Sequence, residues 1–221
     1  MKLLYLHTGI LEEKEIFEKS MSFISEDRKG KIKNYKNEQT ARLSLGAGML
    51  LRIAMDQEEL FNRDIQYGKH GKPYLPLGEF HFSLSHSGKY VVCVYGKQPV
   101  GVDLQKIKDD IPKHTGKILS QEERRYLESL HGKDRVKAFY QIWADKESII
   151  KWDGRGLRIP LTEISLTDDE KAVSEIIFEG EHLFLKRLDL FSLDYALSIC
   201  SSKEIHLSEI KEIDANFLTK Y

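Results

Sequence analysis

Apolar runs and helical rhythms alternate along this chain and divide it into elements. Lys2 to His7 is a short apolar run that predicts an opening strand. From Leu11 to Ile24 the apolar residues Ile16, Phe17, Met21 and Ile24 recur between charges at helical spacing. A longer helix follows, with Ala41, Leu45, Met49 and Ile53 turned inward and Arg42 and Arg52 on its flanks. Phe80, Phe82 and Leu84 then alternate with His81, Ser83 and Ser85, as in a half-buried strand. Ser-His-Ser-Gly predicts the turn of a hairpin, and Tyr90 to Tyr95 the fully buried returning strand. Val100, Val102 and Leu104 alternate with Gly101, Asp103 and Gln105, so that the two polar side chains emerge on one side of a strand. Ser120, with Glu123 three residues on, forms a capping box that starts a helix running toward Leu130. The stretch from Phe139 to Leu157 is helical up to Gly154, and its Trp143, Glu147 and Lys151 fall at intervals of four on one face. Beyond it, residues 158–170 and 172–202 carry three or four strand-like segments joined by acidic turns. A polar tail with scattered apolar residues closes the chain.

The segment LDYALSICS echoes GKYVVCVYG: an aromatic after a turn, an apolar run and an embedded cysteine. The echo points to an internal duplication with an active cleft between the halves. The expected division is an N-terminal half, 1–100, and a C-terminal half, 101–221.

Composition narrows the function. With 41% hydrophobic and 31% charged residues the chain reads as an ordinary globular protein, and no window is long and apolar enough to suggest a membrane span. A formal charge of -1 argues against broad nucleic-acid binding, so any anion site must be a local concentration of cations. Cys93 and Cys200 each lie inside an apolar run, which predicts two buried thiols in a reducing compartment. The opening residues do not read as a signal peptide, so the expected location is the cytoplasm.

Five features carry candidate chemistry. There is a basic run through Arg28, Lys29, Lys31, Lys33 and Lys36, a Gly-Lys-Pro loop around Lys72, and a Ser85-His86 turn. The others are the Asp103-x-Gln105 strand and the Glu147/Lys151 helix. Singly, each has a plain structural reading: a solvated helix face, a polar turn, an i,i+4 ion pair, a cap. Together they offer cations and hydroxyls for an anion and oxygen ligands for a hard metal, and a pyrophosphate with bound magnesium needs both.

Four pieces in order, GKPYLP, FSLSHSGKYVVCVYG, VGVDLQ and WADKESIIKWDGRGL, resemble the 4′-phosphopantetheinyl transferases of the larger pseudo-dimeric type, which activate peptide synthetases and related carrier proteins. The similarity runs from about Glu26 to Leu157, and W-x-x-K-E-S-x-x-K with G-x-G-L behind it is its most specific part. The resemblance implies an α/β (α+β) fold of two similar halves, each a small, mainly antiparallel sheet packed with helices and related by a pseudo-two-fold, with coenzyme A on the N-terminal side. It also implies a monomer that moves the phosphopantetheine arm of coenzyme A to a serine of an acyl or peptidyl carrier protein in secondary metabolism.

By position, Asp103 and Glu147 match the family's magnesium ligands and Lys151 its phosphate-binding lysine. Ser85 and His86 match the turn that holds the coenzyme A phosphates, and Lys72 the lysine of the Gly-Lys-Pro loop. Lys31, Lys36 and Arg42 fall where the family binds the 3′-phosphate and adenosine end. Glu147 is the first candidate for the base and Glu123 the second, and the helix from Glu122 to Leu130 is expected to receive an acidic carrier helix. The family's strand motif ends in Glu where this chain has Gln105, so the expected metal set of Asp103, Gln105 and Glu147 is one negative charge short. Two other readings stay open: a magnesium-dependent phosphodiesterase or nuclease, and a non-catalytic carrier-protein or nucleotide-binding module.

Overall fold

In this computed structural model, residues 1–76, 78–113, 115–168, 171–191 and 194–221 are described. The strand-like segments expected through Asp169-Glu170 and through Ser192-Leu193 lie in part outside them. Strand β1 (Lys2–His7) buries Leu3, Leu4 and Leu6, and a 3-10 turn at Thr8–Glu12 leads to α1 (Lys14–Phe23), α2 (Glu26–Lys33) and α3 (Glu38–Gln57). Two-residue strands β2 (Gln66–Tyr67) and β3 (Pro73–Tyr74) pair across the Gly-Lys-Pro loop. Strands β4 (His81–Ser87) and β5 (Tyr90–Gly96) form the expected hairpin, and β6 (Val100–Lys106) follows.

Helix α4 (Gln121–Ser129) starts on the complete capping box of Ser120 and Glu123, and α5 (Gly132–Asp153) ends at Gly154, whose φ of +90° glycine adopts without a Cβ penalty. After two short 3-10 turns come β7 (Thr167–Asp168), β8 (Lys171–Ala172), β9 (Glu175–Phe178), β10 (Glu181–Arg187), β11 (Tyr195–Ser201), β12 (Glu209–Glu212) and α6 (Ala215–Lys220). Among the described residues no helix is long and apolar enough to cross a membrane.

The fold is α+β. One four-stranded sheet runs β12-β1-β5-β4 and the other β6-β11-β10-β9. The succession of strand, long helix and antiparallel hairpin occurs twice, as β1, α3, β4–β5 and as β6, α5, β10–β11. Cys93 and Cys200 sit on equivalent strands of the two hairpins, both buried and unpaired, and burial pushes both thiols far up.

A break of the chain at residue 100 does not describe the tail. Strand β12 returns to pair in parallel with β1, from Lys2↔Glu209 to Tyr5↔Glu212, and Leu218 of α6 joins the core of the first sheet. The open edge of β1 gains its backbone partners that way.

The two sheets share an apolar core in which Leu3, Val92 and Val94 meet Val102, Leu104, Leu197 and Ile199. Along their junction, β4 meets β6 through side chains. Ser83, Ser85 and Ser87 each accept from a backbone N–H of β6, those of Val102, Leu104 and Lys106, at 3.0, 3.1 and 2.9 Å. Alternation along β4 sends all three hydroxyls to one side, and alternation along β6 meets them with every second N–H.

Candidate active site

The site forms where α5 lies on β6. Gly101 makes the close approach possible: a Cβ there would stand 1.9 Å from the Ser148 carbonyl oxygen and 2.4 Å from the Trp152 nitrogen. Asp103, two residues along the same face of the strand, is thereby brought under Lys151, one turn along the helix. The Lys151 ammonium donates to Asp103 Oδ1 at 2.6 Å, to Ser85 Oγ at 2.9 Å and to the Leu84 carbonyl at 3.3 Å. Ser85 Oγ donates to Asp103 Oδ1 at 2.8 Å, and Gln105 Nε2 donates to Asp103 Oδ2 at 2.7 Å. Asp103 is only 3% exposed, so all its charge is answered by these neighbours.

Glu147 stands one turn before Lys151. Its partial burial, and then the nearby Asp103 carboxylate, hold its carboxyl above the usual carboxylate range, against the pull of Lys151 and a hydrogen bond from Trp143. It opens onto a groove of about 580 Å³ whose walls include Trp143, Ile118, Ile159, Pro160 and Leu161.

Lys72 reaches over from the first half and donates to the Trp152 carbonyl at 2.7 Å, its chain lying on Gly154. Burial pushes its ammonium down to about 8. Lys72 and Lys151 line one cavity of about 240 Å³, together with His70, Pro73, Phe82 and Ser83.

Farther along, Arg28, Lys31 and Arg63 line a pocket of about 460 Å³ with Tyr35 and Tyr67. Arg28 is held by the Ser44 carbonyl at 3.1 Å, and Lys31 stands 5.6 Å from the Tyr67 ring centre, paired with Asp27 at 2.8 Å. Burial lowers the Arg28 guanidinium from its ordinary value.

His86 bridges these two regions. It is exposed on β4, and partial desolvation followed by the Lys151 charge, with a smaller effect of Arg28, holds its imidazole below the ordinary histidine range.

The arrangement departs from expectation in four respects. Ser85 and His86 belong to strand β4, and the hairpin turns two residues later at Gly88 and Lys89. Gly88 has a φ of +57°, and a Cβ there would stand 2.4 Å from the Tyr195 hydroxyl, so only glycine suits that corner. Glu123 is 0% exposed and fully committed: Oε2 accepts from Ser120 N and Lys146 Nζ at 2.8 and 2.5 Å, and Oε1 from Leu166 N at 3.0 Å. With both oxygens used inside the protein it cannot reach a substrate proton as a base.

Arg42 divides its charge among Glu12, Glu38 and Gln39. Neither it nor Lys36 lines the arginine pocket, and Lys36 makes no ion pair among the described residues. Arg63, which does line it, lies beyond the basic run and carried no signal of its own.

Lys146 was also missed. Its ammonium, 0% exposed, ties Glu123 to the carbonyls of Ile118 and Leu161 at 2.7 and 2.8 Å, and so fastens the groove wall to α5. Burial opposes charge on both partners, raising Glu123 and lowering Lys146, and their mutual contact offsets part of this.

The sequence profile of the 4′-phosphopantetheinyl transferase superfamily matches residues 99–200, the span that holds β6, α5 and β11. A 4′-phosphopantetheinyl transferase of Bacillus subtilis is 31% identical over 191 residues, covering 84% of this chain and 85% of that protein. The chain belongs to the 4′-phosphopantetheinyl transferase superfamily. The 4′-phosphopantetheinyl transferase Sfp of Bacillus subtilis strain 168 is 28% identical, with 90% of each chain covered. A solved holo-(acyl-carrier-protein) synthase from Bacillus anthracis, in complex with CoA (3′,5′-ADP), overlaps 46% of this chain and 92% of its own at 20% identity and a TM-score of 0.36. In this member of the superfamily the matched span supplies Asp103, Glu147 and Lys151, while Ser85, Lys72 and the arginine pocket come from the half before it.

Proposed function

We propose that the protein transfers 4′-phosphopantetheine from coenzyme A to a serine of a carrier protein, releasing 3′,5′-ADP. The observation that carries this reading is the cluster of Asp103, Lys151 and Ser85 with Glu147 one turn away, lying between an arginine-lined pocket and an apolar groove. A nucleotide with phosphates at one end and a long neutral arm at the other suits such a sequence of surfaces. Arg28, Lys31 and Arg63 suit its terminal phosphate, and Lys72, His86 and Lys151 its pyrophosphate.

Magnesium fits the donor set. Asp103 and Glu147 stand close enough for the charge of one to raise the carboxyl of the other, a repulsion a divalent cation relieves, and the Gln105 amide oxygen is a third hard donor without charge. When bound, the ion neutralises charge on the phosphate oxygens of the departing nucleotide.

The carrier serine oxygen attacks the phosphorus that bears pantetheine, and the bond to the bridging oxygen of the nucleotide breaks. Glu147, whose carboxyl is raised above the ordinary carboxylate range by burial and by the Asp103 charge and so made more basic, accepts the serine proton. Lys151, held beside Asp103 and Ser85, stabilises the charge that develops on phosphate. Both halves lie in one chain and each supplies part of the site, which supports a monomer, and the two unpaired buried cysteines suit the reducing cytoplasm. The carrier helix meets the face of α4 that exposes Arg124 and Arg125, beside the groove.

The test is mass. Incubated with coenzyme A, magnesium and an apo carrier protein, the parent adds one phosphopantetheine to the carrier. Glu147→Gln is expected to slow loading by on the order of a thousandfold. A carrier that gains no mass sinks the reading, and parental loading by the Glu147 variant removes Glu147 from the mechanism.

A further inference from the structure

Ser85 makes more bonds than its neighbours in the serine row. A hydroxyl has one proton to give and two lone pairs to receive. Ser85 gives its proton to Asp103 Oδ1 at 2.8 Å and receives from Leu104 N at 3.1 Å and from Lys151 Nζ at 2.9 Å. Its capacity is full, and the residue is 5% exposed. A phosphate oxygen would need a proton from this hydroxyl, and the only one is spent on the carboxylate.

We propose that Ser85 is a positioning residue rather than a phosphate ligand: from the first half it fixes the Asp103 carboxylate and the Lys151 ammonium of the second half relative to each other. The proposal rests on the reading that Asp103 and Lys151 serve the pyrophosphate and its metal. The plain alternative is that Ser85 only fastens β4 to β6. Ser87 separates the two readings, because it makes the same kind of bond to Lys106 N at 2.9 Å and no side-chain bond to Asp103 or Lys151.

The experiment compares Ser85→Ala, Ser85→Thr and Ser87→Ala with the parent. Four quantities are read: melting temperature, coenzyme A affinity in EDTA by calorimetry, Mn²⁺ binding in the presence of coenzyme A by electron paramagnetic resonance, and carrier loading by mass. Ser85→Ala is expected to leave coenzyme A affinity in EDTA within about twofold of the parent. It should weaken Mn²⁺ binding and kcat by about tenfold to a hundredfold, the usual effect of removing a group that orients a metal ligand. Ser85→Thr, which keeps the hydroxyl, should recover most of both. Ser87→Ala should lower the melting temperature about as much as Ser85→Ala and leave Mn²⁺ binding and loading at parental levels.

Weaker coenzyme A binding in EDTA with unchanged Mn²⁺ binding would make Ser85 a phosphate ligand and overturn the proposal. Equal effects of the Ser85 and Ser87 variants on Mn²⁺ would reduce it to a fastener. A parent that neither binds coenzyme A nor loads a carrier defeats the function reading instead. In that case crystal structures decide the positioning claim without any ligand: Asp103 and Lys151 lose their mutual contact in Ser85→Ala, and an unchanged arrangement refutes it.

Discussion

Helices α3 and α5 occupy the same place in the two halves and are built in opposite ways. The buried positions of α3, among them Leu45, Met49, Leu50 and Ile53, are apolar or glycine, and the helix itself carries the small residues: Gly46 lets it settle on β1 and β5, and Gly48 admits Ile24 and Arg28. Helix α5 buries Asp145, Lys146 and Ser148 at 0% exposure, and the small residue, Gly101, is on the strand. The three fully buried polar side chains of α5 each have a partner: Asp145 holds Arg187 of β10 at 2.8 Å, Lys146 holds Glu123, and Ser148 meets Ser198 at 3.3 Å. One half uses its helix as a lid on an apolar core. The other uses it as a frame whose internal ion pairs fix the turns of helix that carry Glu147 and Lys151. An apolar face tolerates small slippage, and a set of directional bonds does not.

Breaking the frame should cost most. Lys146→Met leaves the Glu123 carboxylate and two carbonyls buried without their cation, and urea unfolding should show a loss of about 3–5 kcal/mol. A loss below 1 kcal/mol would mean that the pair is dispensable and the contrast with α3 overstated.

The two glycine positions come next. Gly101→Ala drives a methyl into the α5 backbone and is expected to cost about 3 kcal/mol and to separate Lys151 from Asp103. Gly46→Ala meets side-chain methyls of Leu6 and Val91 at 3.2 Å and of Leu11 at 3.8 Å rather than backbone, and should change stability by about 1 kcal/mol or less. Equal costs in the same unfolding assay would erase the asymmetry.

The smallest effect sits where the halves touch. Lys72 has its folded value near 8 and its ordinary value at 10.5, so between these the unfolded chain holds more protons and stability rises with pH. The melting temperature of the parent, less that of Lys72→Met, should therefore climb from pH 8 to about 10.5. A flat difference would mean that Lys72 is not held in a desolvated place.

Much of this was legible along the chain because it is local. The span of β1, the hairpin, the capping box at Ser120 and the shared face of Trp143, Glu147 and Lys151 follow from spacing within one element. Four of the candidate residues, Ser85, Asp103, Gln105 and Lys151, meet in one cluster. Their relations were not legible. Ser-His-Ser-Gly read as a turn because those residues suit turns, and in the fold the same serines face the N–H groups of β6, a partner set by tertiary packing. Glu123 read as a capping residue and second candidate base and Lys146 carried no signal of its own, because charged residues are seldom fully buried, and only the structure shows them sealed against each other.

By itself the sequence determined the opening strand, the hairpin and the helices that follow the capping box, and it carried the echo between the two cysteine segments, because periodicity and residue type act over a few neighbours. The tertiary structure alone decided that Gly101 is a contact point, that the tail returns to β1, and that Glu123 and Lys146 are internal ties. Each of these depends on which distant backbone a residue meets, and residues 20 to 200 positions apart leave no local trace of their contact.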